Sequence, residues 1–306
     1  MPDLILHHYP MSPFSEKIRA MLGYAGLSWQ SVITREMPPR PLVEALAGGY
    51  RKIPVAQIGA DIFCDSKSIA REIAALSGKP ELALENCSSE AQAWASRVDL
   101  KIFFACLMVG GTTKLGRKVL RDMSLLDIGR FFWDRIQIGR TASVSSPGPK
   151  AAKGIVKTHL ADMENRLQAQ SFLFGDTPCH ADFSAYHSLW FVRDMGEATV
   201  INDFPKVLAW MDRIKGFGHG TFVEINGEAA LEIASHAEPR RLAAEQRQDV
   251  LIGKEVGIAP ADYAQAETRG TLIAASNHDW ILARTQTPAG KLHVHFPRQG
   301  FAISEC

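Results

Sequence analysis

Cysteine is scarce in this chain, and its cysteines are not grouped. Cys64, Cys87, Cys106, Cys179 and Cys306 are scattered, with no CxxC and no zinc-like spacing. That argues against a dithiol redox motif and a zinc knuckle. An odd, dispersed set fits a reducing cytoplasm better than a secreted disulfide framework. An excess of one charge is also missing. The 34 Lys and Arg face 33 Asp and Glu, a formal net charge of +1. Such a balance gives no support for a nucleic-acid or membrane-surface partner. The longest apolar run, near Ile102 to Val109, is far short of a membrane span. The N-terminus lacks a basic region followed by a long apolar core, so no signal peptide is expected. GxSxG and HExxH are absent. His293 and His295 fall on one strand face, but two ligands are too few for a metal; a surface pair is expected, and no metal site.

What is present is apolar material in periodic runs. Hydrophobic residues make up 46% of 306, enough for a sizeable core and more than one domain. From Leu4 to about Gly78 strand and helix signals alternate. Leu4-Ile5-Leu6 reads as a buried strand, and Ile18, Met21, Leu22 and Ala25 as one helical face. Trp29 to Ile33 reads as a second strand. Pro38, Pro39 and Pro41 mark a loop before a short helix near Val43 to Leu46, broken by Gly48-Gly49. Ile53 to Ile58 and Ile62 to Cys64 form a hairpin around Gly59-Ala60-Asp61. Asp65-Ser66 caps a helix with Ile69, Ile73 and Leu76 on its face. The order is βαβαββα, an α/β unit with one mixed sheet.

Residues 80–238 read as all-helical, with Ala91, Trp94, Val98 and Ile102 at helical spacing. A further helix is expected over Leu115 to Gly139, carrying Leu120, Leu125, Phe131, Phe132 and Trp133, before a turn-rich break at Ser143 to Pro149. The glycine-rich stretch Gly216 to Gly220 follows a helix rather than a strand, so it reads as a flexible connector and not a phosphate loop. Residues 239–306 change period. Thr271 to Ala275 and Trp280 to Arg284 flank a hairpin turn, Lys291 to Phe296 alternates strictly, and Phe301 to Ile303 follows. This is expected to be a small antiparallel β module, with a partly closed barrel as one form open to it. Leu292, Val294 and Phe296 face one way and need an apolar partner, expected on the helical domain or a second subunit.

The chemistry concentrates at Tyr9 to Arg19. Ser12 to Ser15 open a helix, where unpaired N–H groups and a partial positive charge stabilise an anion such as a thiolate. Ser12 read structurally is an N-cap and Pro13 a first-turn proline. Pro54 belongs at a strand start or edge. Its Ile53–Pro54 bond is either trans, or cis with the preceding backbone turned outward to pair with an extended peptide.

Ser-Pro-Phe-Ser at the first helix, Ile-Pro before the third strand and Asp-Ser before the third helix, in that order, resemble the thioredoxin-like domain of glutathione transferases. The helical region is similar to theirs too, and the resemblance covers roughly Met1 to Gly216. It implies a thioredoxin-like glutathione-binding domain at 1–79, an all-helical domain at 80–238 and an extra β module at 239–306. It implies glutathione as co-substrate, with Ser12 donating a hydrogen bond to its sulfur and Tyr9 as the competing activator. Phe14, Lys52, Ile53, Pro54, Asp65 and Ser66 are the implied glutathione contacts. Ile53 offers its backbone, Asp65 and Ser66 hold the γ-glutamyl end, and Lys52 meets the glycyl carboxylate. Arg40 and Arg51 are weaker candidates for that carboxylate, and a solvated loop is preferred for Arg51. Phe103, Phe104 and Met108 are read as bundle core or as lining for a hydrophobic electrophile. Thr177 to Phe183 resembles the family's capping box, with Cys179 in place of the hydroxyl and a slightly weaker helix start expected. The implied function is a cytoplasmic, homodimeric detoxification transferase. The alternatives are a non-catalytic glutathione-binding or interaction protein, or a glutathione-dependent isomerase or dehalogenase.

Overall fold

A computed structural model describes residues 3–122, 124, 126, 128–131, 133, 134, 137, 147–243, 246 and 249–306. Its first part runs β1 (Leu4–His8), α1 (Pro13–Ala25), β2 (Ser28–Ile33), α2 (Pro41–Ala47), β3 (Val55–Ile58), β4 (Asp61–Cys64) and α3 (Ser66–Ser77). β1 is buried along its whole length. It lies between β2, parallel to it, and β3, antiparallel to it. A central strand covered on both faces has no polar face to show, which is why Leu4-Ile5-Leu6 lacks alternation. β4 pairs with β3 through the tight Gly59-Ala60 hairpin. Pro54 stands just before β3 rather than inside it, where a missing N–H costs no ladder bond.

The helical part comprises Ser89–Arg97, a π-helical turn Val98–Ile102, Phe103–Gly110, Thr113–Asp122, Pro149–Arg166, His180–Trp190 and Pro205–Lys215. The expected Leu115–Gly139 helix is met in its first turns by Thr113–Asp122. Leu125, Phe132 and the turn at 143–146 lie outside the described residues. At His180–Trp190 a buried carboxylate secures the helix start. Asp182 accepts from the Cys179 N–H at 3.0 Å, and its other oxygen accepts from the Leu173 N–H and Trp210 Nε1.

Past Lys215 two expectations change. Gly216 to Gly220 is packed rather than flexible: a side chain on Gly23 of α1 would run into the Gly218 backbone, and Trp29 Nε1 donates to the His219 carbonyl at 2.8 Å. The chain then adds a strand, β5 (Thr221–Glu224), parallel to β2. Helix Gly227–Ser235 follows.

β6 (Glu255–Pro260), β7 (Thr268–Ala275), β8 (Asp279–Gln286) and β9 (Gly290–Pro297) form an antiparallel meander, and β10 (Phe301–Glu305) returns to pair with β6. This module packs mainly on the sheet of the first domain, and it also meets the helical domain, where Tyr263 lies against Phe104 and Gln299 Nε2 donates to Ser96 Oγ at 3.4 Å. β9 runs parallel to β4, with Ile62 opposite Val294, so the strands join one ten-stranded sheet in the order β10-β6-β7-β8-β9-β4-β3-β1-β2-β5. The reason is physical. Without β9, the hairpin edge at β4 leaves backbone groups unpaired. Leu292, Val294 and Phe296 enter a core with Leu46, Tyr50, Val55 and Ile62. The opposite face of β9 is covered as well. His295 is buried and its Nε2 meets Asp61 Oδ1 at 2.8 Å, with the His293 ring 3.9 Å from the same oxygen. The expected surface pair instead lies against the buried Asp61 carboxylate, with His295 buried and His293 half-buried.

Candidate active site

The sheet register gathers the candidate residues at one end. His7 of β1 lies opposite Val55 of β3, and Val55 opposite Cys64 of β4. The turn after β1, the Ile53–Pro54 segment before β3 and the Asp65–Ser66 step after β4 therefore leave the sheet together. Ser12, Ile53, Pro54, Asp65 and Ser66 all lie on those three segments.

Ser12 is the N-cap of α1 and only 2% exposed. Its Oγ accepts from the Ser15 N–H at 3.2 Å. A hydroxyl has two acceptor sites and one proton, so the cap leaves the proton free to be donated. The turn before it is stapled by Arg19, whose guanidinium donates to the Tyr9 carbonyl at 3.3 Å and the Pro10 carbonyl at 3.0 Å. The same group pairs with Glu16 at 2.8 Å and reaches His8 Nδ1 at 3.1 Å. Burial, then the Arg19 charge, pushes the His8 imidazole down to about 3, so at neutral pH it is uncharged and accepts. Tyr9 thus contributes its carbonyl to holding the Ser12 turn.

The Ile53–Pro54 bond is cis. Asp65 caps α3, its Oδ1 accepting from the Lys67 N–H at 3.0 Å, and it holds φ at 74°. A positive φ is uncommon outside glycine and costs about 1–3 kcal/mol, so it persists where the surroundings fix it. Ser66, the first residue of α3, is buried. Cys64 beside it is buried too, and burial pushes its thiol well up, leaving it a poor nucleophile.

Lys52 does not stand open. Its Nζ is 2.6 Å from Asp262 Oδ1 and 3.9 Å from the centre of the Tyr263 ring, both from the loop between β6 and β7. Arg51 pairs with Asp134, so it is not a solvated loop residue. Arg40 donates to the carbonyls of Arg35 and Arg51, both at 2.7 Å. Phe14 packs on Phe103 at 4.8 Å and His187 at 4.5 Å, and Phe104 meets Tyr263 edge-on at 5.5 Å. Phe103 is buried, whereas Phe104 and the more exposed Met108 are not. A cavity of about 690 Å3 lies along α2, lined by Arg40, Tyr50, Arg51 and Arg284, and Ser12, Ile53, Asp65 and Ser66 are not among its lining residues.

Below Phe14 lies a charged cluster that sequence reading missed. Lys17 is fully buried and its Nζ is 2.8 Å from Asp99 Oδ2; Asp99 Oδ1 meets His187 Nε2 at 3.0 Å. Burial opposes ionisation of Asp99, but the Lys17 charge and the His187 hydrogen bond hold its carboxyl far below the usual range. A lysine among apolar helix positions was the only available signal. Asp262 and Tyr263 were missed as well, and nothing local marks them.

Among the described residues no cluster of three or more His, Cys, Asp and Glu side chains could hold a metal ion. No helix among them is long and apolar enough to cross a membrane.

Comparison with known proteins bears on the fold. Residues 6–81 match the family model described as glutathione S-transferase, N-terminal domain, and residues 134–213 that described as glutathione S-transferase, C-terminal domain. A solved GST-like protein from Pseudomonas syringae is 34% identical, with a TM-score of 0.80 and all of both chains covered. A glutathione S-transferase from Rhodospirillum rubrum F11 is 20% identical, with a TM-score of 0.48, covering 69% of this chain and 87% of its own. A glutathione transferase family member from Pseudomonas fluorescens pf-5, solved with two glutathione bound, is 17% identical at a TM-score of 0.47, covering 70% and 88%. No curated protein matches.

Proposed function

The chain belongs to the glutathione S-transferase family, and on that premise we propose that it binds glutathione at the gathered end of the sheet and joins it through its sulfur to a hydrophobic electrophile. The observation that carries the reading is Ser12. Its Oγ accepts the cap bond at the N-terminus of α1, and its proton remains to be donated. A free thiol titrates at about 8.5, and a helix N-terminus with a hydrogen-bond donor lowers that value. Ser12 stabilises the thiolate and does not attack. The thiol proton leaves to solvent, the thiolate forms the S–C bond, and the leaving group departs with the electron pair of the bond it breaks. Catalysis comes from a larger thiolate fraction and from holding the two reactants together.

Ile53 offers backbone beside the cis bond to Pro54, and Phe14 lines the thiol side. Ser66, at the start of α3, takes the γ-glutamyl carboxylate, and the Asp65 carboxylate pairs with the ammonium. Phe104 and Met108 are offered to the electrophile. The homodimeric and cytoplasmic setting belongs to this same reading and rests on the family alone.

The test is calorimetric titration of the full chain with glutathione, followed by turnover on a panel of halogenated aromatics, epoxides and enones. Millimolar or tighter binding that weakens in Ser66→Ala, together with conjugation of at least one electrophile, is expected. Absence of binding at millimolar glutathione overturns the site; binding without turnover on any electrophile overturns the transferase in favour of a binding protein.

A further inference from the structure

We propose that Cys87 and Cys179 form a modification site, at which a hydroperoxide joins them in a reversible disulfide between the entry to the helical region and the start of helix His180–Trp190. The site uses none of the residues assigned to glutathione, and its chemistry is separate from the conjugation proposed above.

In the sequence the five cysteines are dispersed, and these two stand far apart. The fold brings them together. Cys87 follows the short turn Leu84–Asn86, and Cys179 is the N-cap of His180–Trp190. Both meet at one three-residue segment. The Cys87 thiol donates to the Glu81 carbonyl at 3.5 Å and the Ala83 carbonyl at 3.6 Å. Between those two, the Leu82 carbonyl lies 2.9 Å from Nδ1 of His180, the residue after Cys179. Both cysteines border the core that holds Leu82, Ala83 and Leu84. There the two sulfurs are hydrogen-bonded to each other, and the His180 N–H donates to the Cys87 sulfur.

The two thiols are not equivalent. The Cys179 hydrogen bond holds the Cys87 thiol below its ordinary value against the opposing effect of burial, and the helix N-terminus adds to this through the His180 N–H. The Cys179 thiol is pushed up by the same hydrogen bond and by burial. Cys87 is therefore the sulfur that meets the oxidant, and Cys179 the one that closes the bond. Thiolate fraction and access together decide which cysteine oxidises. Cys87 and Cys179 are both half-buried, within reach of a small oxidant. Cys64 and Cys106 are enclosed, and burial pushes their thiols up, Cys106 to about 12.

With hydrogen peroxide, the Cys87 thiolate attacks one peroxide oxygen. The S–O bond forms, the O–O bond breaks, and the departing oxygen takes the proton the thiol gave up and leaves as water. Cys179 then attacks the sulfur of the Cys87 sulfenic acid. The S–S bond forms, the S–O bond breaks, and the sulfenic oxygen leaves as water with the Cys179 proton. Two thiols lose two electrons, and the peroxide becomes two waters. An external dithiol reverses the change. The loop so closed carries Ser89–Arg97, Phe103–Gly110 and Pro149–Arg166. Closing a long loop constrains the unfolded chain, so the oxidised form is expected to be the more stable.

The experiment treats the folded full-length chain with a slight excess of hydrogen peroxide and maps its peptides by mass spectrometry without reductant. It uses a Cys306→Ser background, which removes the exposed thiol. A peptide pair joined through Cys87 and Cys179 is expected, released by dithiothreitol, with Cys64 and Cys106 still thiols. Cys179→Ser is expected to stop at the Cys87 sulfenic acid, captured by dimedone, and Cys87→Ser to leave Cys179 reduced over the same time. Oxidation is expected to raise the melting temperature by several degrees with both cysteines present, and in neither variant. Absence of the joined peptide, or its formation only in denaturant, overturns the modification site. A joined peptide that leaves the melting temperature unmoved overturns the fastening of the helix.

Discussion

Asp61 of β4 and His295 of β9 meet across the seam between the family fold and the added module, Oδ1 to Nε2 at 2.8 Å. The other Asp61 oxygen accepts from the Arg240 N–H at 2.9 Å, and the Arg240 side chain pairs with Glu72 of α3. One buried carboxylate thus collects three segments far apart in sequence.

That carboxylate sets a pH dependence. Burial pushes the Asp61 carboxyl up, but the His295 hydrogen bond and charge, with the N–H and guanidinium of Arg240, outweigh it and hold the group below its ordinary range. A group depressed on folding stabilises fully above its unfolded value of about 3.9 and loses that contribution as pH falls through the lower folded value. Asp61→Asn is expected to cost about 1–3 kcal/mol at pH 7, with the gap to wild type closing below about pH 4. Urea unfolding at pH 7 and pH 3 checks this. An equal gap at both values would remove charge from the explanation.

Ser12 has two roles that substitutions can separate. Alanine removes both hydroxyl and cap, at about 1 kcal/mol, whereas glycine is tolerated at an N-cap for a few tenths. Ser12→Ala and Ser12→Gly are both expected to raise the pKa of bound glutathione, read from thiolate absorbance, and only alanine should lower the melting temperature appreciably. If neither moves the thiolate titration, activation passes to Tyr9 or Ser15.

The buried Lys17–Asp99 pair joins α1 to the helical domain, and its worth lies in being complete. Asp99→Leu leaves a lysine ammonium buried without its partner, and about 3–5 kcal/mol of stability is expected to be lost. The double variant Lys17→Met with Asp99→Leu should recover most of it, because two desolvated charges are then absent. Denaturant midpoints of the two variants decide this. A double variant no more stable than the single one would mean the pair stabilises beyond its desolvation cost.

The sequence was legible where the signal is local. Ser12 with Pro13, Asp65 with Ser66, and Pro54 are start and stop signals of single elements, and each stands where the pattern put it. His293 and His295 misled because the strand that pairs beside them, β4 with Asp61, lies more than two hundred positions away. β5 was passed over because all four of its residues are exposed, so no buried face imposes an alternation. Asp262 sits in a loop, where no period exists to mark it, and the module that carries it joins the sheet of the first domain through the long-range pairing of β9 with β4.

The module and the family fold share one core, and this gives the last prediction. Leu292 of β9 is buried in the same cluster as Val55 and Ile62. Ending the chain after Glu238 removes β6 to β10, bares the β4 edge and uncovers that cluster. The truncated protein is expected to melt lower and to aggregate through the open edge. Because truncation removes much at once, Leu292→Ala is the finer probe. It is expected to cost about 2–5 kcal/mol and to shift the unfolding of the whole sheet as a single calorimetric transition. A sheet built in two independent parts would respond differently, with a first transition for the module moving down while a second stayed in place. That split, or a truncated chain that keeps the full-length melting temperature, would show that β9 rests against β4 without sharing its stability.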